Sequence, residues 1–423
     1  MFKTRLLSAL VAVFALVGCN PPLPGGGEDA RSDLQRLTTP APAGDVEATV
    51  RGLNDFTFSL NKRITKPTEN FIVSPVSINT ALGMASAGAA GTTLDAFRST
   101  LRVNISQGDF HGAMNTLDRE LSSRGQGAQG TEGRPFKLSI VNQTFSQTGY
   151  KLERSYLDLL AQQYGTGLKL VDFEKQTEAA RLTINDFVAV HTSNLIPELL
   201  KRGTVTGDTR VVLANAVYFN ASWASPFEKT ATRPANFTLL SGNTVLVDTL
   251  NDSVHSARAA TVGGVEVVEL PYQKDEVSML ILMPAAGDLA SLESSLDNAK
   301  LDSFLSALTP QQLDFSMPKF KIDSPSDLSE PLKEEGLAVA FGGDADFSGM
   351  TGTRELSISG VLHQAVIKVT EEGTEAAGAT AVVFGVTSVP VTRPVKIDRP
   401  FMYLIRDRAT GTILFMGHVV DPR

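Results

Sequence analysis

Val366-Ile367-Lys368-Val369-Thr370-Glu371-Glu372-Gly373-Thr374-Glu375-Ala376-Ala377-Gly378-Ala379-Thr380-Ala381-Val382-Val383-Phe384-Gly385-Val386-Thr387-Ser388-Val389-Pro390 is the stretch on which the fold turns. It opens as a strand, with β-branched Val366, Ile367, Val369 and Thr370. A run of small residues follows. Counting in twos from Thr374, the positions Ala376, Gly378, Thr380, Val382 and Phe384 carry no charge, and the one charge beyond Thr374, Glu375, has the opposite parity. Strand side chains alternate between faces, so the segment can enter a sheet with its uncharged set inward. The same small side chains suit an exposed loop. A segment compatible with both conformations suggests a switch.

Working outward, 423 residues with 42% hydrophobic and 20% charged side chains are globular in composition. A net charge of −8 and the lack of any dense basic run argue against a nucleic-acid binder. Lys3 and Arg5 precede a largely apolar run from Leu6 to Val17, the pattern of a secretory signal too short to span a membrane as a typical helix. Leu16-Val17-Gly18-Cys19 resembles the bacterial lipobox, which implies a signal peptide over residues 1–18 and acylation of Cys19. Two or three acyl chains give stable anchoring. Cys19 is the single cysteine, so no intrachain disulfide forms despite the exported address. Residues 19–45, rich in Pro, Gly, Asp and Arg, read as a flexible tether. From residue 46 to 423 the composition is uniformly globular, without repeat or second linker, as in one large domain.

Within that domain Val46, Val50, Leu53, Phe56 and Leu60 recur at helical spacing. Asn70 to Ile78 reads as a short buried strand entering a helix, with Pro75 where its missing N–H costs nothing. The small, apolar run Thr80–Gly88 then belongs to a central, closely packed helix. Leu138–Phe145 alternates like a strand and Glu178–Val190 reads as a helix. Val211–Phe219 is a nearly continuous apolar strand, expected to be buried on both faces.

The chemistry-bearing residues exclude several classes. The five histidines, at 111, 191, 255, 363 and 418, form no His-Glu-x-x-His and have no cysteine partners, so neither a metal nor another cofactor is expected. Ser59-x-x-Lys62 and Ser316-x-x-Lys319 match the serine acyl-enzyme motif but lack its Lys-Thr-Gly partner. Ser74, Ser77, Asn215 and His363 stand in otherwise apolar surroundings. Buried polar groups of this kind hydrogen-bond one another, because an unpaired group costs about 1–3 kcal/mol. They read as a structural set, not a catalytic one.

The run Glu371, Glu372, Gly373, Thr374, Glu375, Ala376, Ala377, Gly378, Ala379, Thr380 resembles the reactive-loop hinge of the serpins, a family of protease inhibitors with some non-inhibitory members. Ser74-Pro75-Val76-Ser77, Ile184–Phe187, Leu213–Phe219, Glu269–Tyr272, Asp398–Ile405 and Leu414–Pro422 resemble other serpin segments, in the family's order, from about residue 46 to the end. The resemblance implies an α+β serpin fold: a large central, mostly antiparallel sheet with surrounding helices, further sheets and an exposed reactive loop. It assigns Ser74, Ser77, Asn215 and His363 to the shutter beneath the sheet's opening, and Trp223 and Glu371 to the breach at its top. It implies a monomeric suicide substrate, not an enzyme, whose partner is a serine protease or, in some members, a cysteine protease. The acyl-enzyme would be trapped as the loop inserts from Thr374 onward. A charge at an inward position would be buried unpaired and slow insertion; Thr374, Ala376, Gly378 and Thr380 are all permissive, which favours an inhibitory member over a non-inhibitory serpin-fold binding protein. Counting from Glu371 puts the reactive bond at Thr387–Ser388, whereas counting back from Pro400 points to Val389. Val386 is also in range. These small, neutral residues suit an elastase-like or subtilisin-like protease. The lipid on Cys19 would hold the protein at a bacterial cell envelope, on the periplasmic or outer face.

Overall fold

The structure, a computed structural model, describes residues 28–131, 133, 135–374 and 391–423. Cys19 and the signal segment, the hinge beyond Thr374, and the reactive bond at Thr387–Ser388 lie outside the described residues.

Two sheets carry the architecture. The first contains β1 (Glu28–Ala30), β3 (Lys137–Gln147), β4 (Leu168–Val171), β5 (Val211–Ser222), β11 (Phe320–Asp327), β12 (Ile358–Val369) and β13 (Gly373–Thr374). Its order is β1-β4-β3-β5-β13-β12-β11, and β5 also pairs directly with β12 in parallel. The second contains β2 (Phe71–Val73), β6 (Arg233–Thr238), β7 (Thr244–Val262), β8 (Val265–Pro271), β9 (Val277–Met283), β10 (Thr309–Pro318), β14 (Arg393–Lys396), β15 (Phe401–Asp407) and β16 (Ile413–Val419). There β2 pairs with β16, joining the beginning and the end of the chain in one sheet.

Helix α1 (Ala43–Ile64) buries Val50, Leu53, Phe56 and Leu60, the face the periodicity predicts. Helix α2 (Pro75–Ser86) buries every residue but Thr80. Small side chains let it lie deep in the fold; a Cβ on Gly83 would stand 2.9 Å from the Tyr164 hydroxyl. Helix α3 (Gly91–Thr100), α4 (Gln107–Ser123), α5 (Arg154–Leu159) and α6 (Thr177–His191) complete the first half. All twelve residues of β5 are buried, as its nearly continuous apolar run leads one to expect. One face packs with β12 against the second sheet through Val217, Phe219, Ala365 and Ile367, and the other lies under α6 through Val212, Ala214 and Ala216.

The segment expected to be a flexible tether departs from that reading at Glu28. Glu28–Ala30 add an antiparallel strand to the edge of β4. Arg36 then donates to Asn115 Oδ1 at 2.7 Å and to Asp118 Oδ2 at 2.7 Å on α4. The Leu37 N–H meets Gln162 O at 2.9 Å, and Ala41 N–H meets Thr116 Oγ1 at 2.8 Å. This strap is held by backbone pairing and polar anchors, neither of which leaves a hydrophobic period in the sequence. The three last tether positions, 43–45, form the first turn of α1.

Candidate functional site at the opening of the central sheet

The four polar residues singled out in the sequence meet beneath the centre of the first sheet. β12 and β5 pair in parallel with His363 opposite Asn215. The N–H of Ser74, at the cap of α2, donates to His363 Nε2 at 3.1 Å. Nε2 is therefore the unprotonated nitrogen, and Nδ1 carries the hydrogen that meets Asn215 Oδ1. Burial pushes the imidazole down to about 3, so it stays neutral. Asn215 Nδ2 donates to Ser77 Oγ and to Asn142 Oδ1, while Ser74 Oγ donates to Leu414 O at 2.7 Å. The network ties α2, β3, β5, β12 and β16 together, and Ser74, Ser77, Asn215 and His363 are all fully buried, with no exposed face to offer a substrate. It is a lock between strands.

Asn142 is a member that sequence reading missed. It pairs across from Asn215 in the β3–β5 register and shares parity with Leu138 and Ile140. A polar residue following two apolar ones on the same parity was the available signal.

At the other end of the gap, β5 and β12 part and the hinge enters. Thr370 N–H bonds Gly373 O at 2.9 Å, closing a tight turn that sends the chain back on itself. Thr374 pairs with Val369 of β12 on one side and with Ala221 of β5 on the other, antiparallel to both. Gly373 is required there: with φ of 158°, a Cβ would lie 2.0 Å from Ala221 O. Thr374 is fully buried and its Oγ1 lies 2.7 Å from the Tyr272 hydroxyl. Thr374, the residue from which insertion was expected to begin, sits between the two strands in the intact chain.

Trp223 and Glu371 both stand at this entrance. Trp223 stacks on Tyr272 with ring centroids 4.5 Å apart and 12° between planes. Its Nε1 donates to Thr370 O at 3.0 Å and its backbone N–H to Glu372 O at 2.8 Å. Glu371 accepts from Thr232 Oγ1 at 2.8 Å and from Lys319 Nζ at 2.9 Å. Burial acts to raise the Glu371 carboxyl, but its bonds to its own backbone, Lys319 and Thr232 outweigh this and hold it below the usual carboxylate range. Lys229 Nζ lies 2.7 Å from Glu372. Lys319, Lys229 and Tyr272 are further residues of the entrance whose roles the sequence did not reveal. In the two Ser-x-x-Lys matches, Ser59 Oγ donates to Glu335 and Lys319 is held by Glu371.

The sequence model of the serpin family, serpin (serine protease inhibitor), matches residues 51–422, and the chain belongs to that family. The human leukocyte elastase inhibitor is 33% identical over 375 residues, covering 84% of this chain and 94% of its own. Among solved structures, the thermophilic serpin tengpin in its native state is similar with a TM-score of 0.82 at 25% identity, over 93% of this chain and 99% of the other. Human thyroxine-binding globulin complexed with thyroxine is similar with a TM-score of 0.80 at 28% identity, over 89% and 99%. The α+β serpin fold is the one the sequence led us to expect.

Proposed function

We propose that this protein inhibits a serine endopeptidase as a suicide substrate, by inserting its cleaved loop between β5 and β12. The observation that carries the reading is the seating of Thr374. Continuing its register one strand downward would bring Ala376 between Phe219 and Ile367, Gly378 between Val217 and Ala365, and Thr380 between Asn215 and His363. Each inward residue is small or uncharged, so every rung can close without burying a charge.

The protease serine would attack the carbonyl at the reactive bond, Thr387–Ser388 with Val386 and Val389 as neighbouring choices. The Ser388 amine leaves as a new N-terminus and the ester remains on the protease. About fourteen inserted residues at ~3.3 Å each would carry the bound protease roughly 45 Å. Backbone pairing and apolar burial withheld in the intact chain drive the movement, so the native fold is a kinetic trap. The small, neutral residues around the bond suit an elastase-like or subtilisin-like primary pocket; similarity to a leukocyte elastase inhibitor supports the first. We also propose that Cys19 is acylated and that the lipid holds the inhibitor at a bacterial envelope.

The test is to mix the protein with neutrophil-type elastase and, separately, with subtilisin. A complex that survives boiling in detergent is expected. Clean loop cleavage with the proteases still active would sink the reading for these enzymes and favour a serpin-fold binding protein.

A further inference from the structure

The register that seats Thr374 also fixes the outward face of the next rung. On β11 and β12, Lys321 stands directly opposite Lys368. Cross-strand neighbours of this kind have Cβ atoms about 5 Å apart, and like charges there are destabilising. Lys321 is exposed and Lys368 half-buried, and among the described residues neither makes an ion pair. The carboxylates that could serve them are engaged elsewhere: Glu371 holds Lys319, Asp323 accepts from Gln364, and Asp421 holds Arg423. An open groove of about 490 Å³ beside the pair adds to the imbalance, taking in Lys319, Lys321, Lys368 and Arg423 against one acid, Asp248. Across the gap, Lys137 of β3 lies opposite Asn220 of β5 on the same rung.

Because Thr374 is opposite Val369 and Ala221, a strand that extends by one residue places its next side chain opposite Lys368 and Asn220. That residue is Glu375, the only acid between Glu372 and Asp398. We propose that Lys368 and Lys321 are positioning residues for loop insertion, a cationic pair that receives the Glu375 carboxylate on the first new rung. The insertion reading above is presupposed; what is added is the electrostatic device that starts it and fixes its register. The native sheet holds two ammonium groups in mutual repulsion, and insertion turns that repulsion into a cation–carboxylate–cation arrangement. A slip of one residue would put Ala376 at this place and drive Glu375 inward, so the pair also selects against the wrong register. Lys321 is exposed and Lys368 half-buried, which leaves the effect sensitive to salt.

The experiment uses the intact protein and a synthetic peptide with the sequence of residues 374–387, whose uptake into the sheet is followed by native gel and mass spectrometry. A second peptide carries Glu375→Lys. At roughly 20 mM salt the wild type should take up the first peptide several-fold faster than the second, and the preference should fade near 1 M, where the Debye length is about 3 Å. The double variant Lys321→Glu/Lys368→Glu keeps a like-charged native pair, so its melting should match the wild type while its peptide preference inverts. Equal uptake of both peptides by the wild type at low salt, or a preference unchanged by the double reversal, overturns the proposal and leaves the insertion reading standing. Uptake of neither peptide by the wild type overturns both.

Discussion

The hydroxyls of Tyr272 and Thr374 lie 2.7 Å apart in a site closed to solvent. Tyr272 is in turn clamped by the Trp223 ring. A residue of the hinge is therefore held by the body of the fold before any protease arrives, and the gap between β5 and β12 is wedged open by one rung at its top while His363 and Asn215 lock it lower down. The intact chain is poised between these two points.

Removing the upper point should be visible in solution. Tyr272→Phe keeps the stacking and deletes the hydroxyl, leaving Thr374 Oγ1 without that partner at a cost of about 1 kcal/mol. That corresponds to roughly a fivefold rise in the population with the hinge withdrawn. A glutamyl endopeptidase should cut at Glu372 or Glu375 about fivefold faster in the variant. An unchanged cutting rate would mean that the Tyr272 bond does not hold the hinge.

The lower point predicts a pH dependence. Burial pushes the His363 ring down to about 3 and the His111 ring down to about 4, from 6.5. The unfolded chain therefore binds more protons than the folded one as pH falls below about 6.5. Each neutral ring lends stability that is complete above that value and is lost on the way down to its folded value, at no more than about 1.4 kcal/mol per pH unit per ring. His363→Gln should cost about 1–3 kcal/mol at pH 8 and flatten the fall between pH 6.5 and 4, leaving the share due to His111. Urea midpoints measured across that range for both proteins check this. Parallel curves would show that His363 does not titrate as its burial demands.

How much of this was legible in the sequence depends on the range of each interaction. β5 declared itself through its nearly continuous apolar run, and α2 through small residues behind Pro75, because both signals are local. Ser74, Ser77, Asn215 and His363 could be gathered because each is a polar residue in an apolar setting. Asn142, Tyr272 and Lys319 were not placed: their partners lie 73, 102 and 52 residues away, and no local pattern in the sequence names those partners. The strap from Glu28 was hidden for a different reason. Its anchors are one sheet edge, one arginine and a few backbone hydrogen bonds, which look like linker composition until the receiving groups on the body of the fold are known. The position of Thr374 was half legible, since its parity is in the sequence but its seating depends on a Gly373 that must clear Ala221 O.

That strap gives a third prediction. Arg36→Ala removes the guanidinium's bonds to Asn115 and Asp118 and should lower the unfolding free energy by about 1–2 kcal/mol, once solvent screening of a partly exposed pair is allowed for. A urea midpoint equal to that of the wild type would show that residues 28–41 rest on the body without stabilising it.

The breach ion pair gives the fourth. The Glu371 side chain is nearly buried, so Lys319→Met leaves a carboxylate with Thr232 as its remaining side-chain partner, at a cost of about 1–3 kcal/mol. The loss falls at the mouth of the gap. The variant should form soluble oligomers on gel filtration after gentle warming, as the loop of one molecule enters the sheet of another, while Lys319→Arg should behave as the wild type. Monomeric behaviour of the Met variant would separate Glu371 from control of the sheet.

The seating of Thr374 finally decides what a charge there would do. In the wild type the position is fully buried between Val369 and Ala221, with a hydroxyl partner and no carboxylate. Thr374→Arg would have to desolvate a guanidinium in that space, so the side chain should instead force the hinge out of the sheet in the intact protein and oppose its return after cleavage. The variant should therefore be cut at its normal bond at close to the wild-type rate while detergent-stable complex falls at least tenfold, because deacylation now wins the race. Cleaved wild type should melt well above the intact form, and cleaved Thr374→Arg should show little of that rise. A variant that still traps its protease with wild-type stoichiometry would show that Thr374 does not enter the sheet in the trapping step.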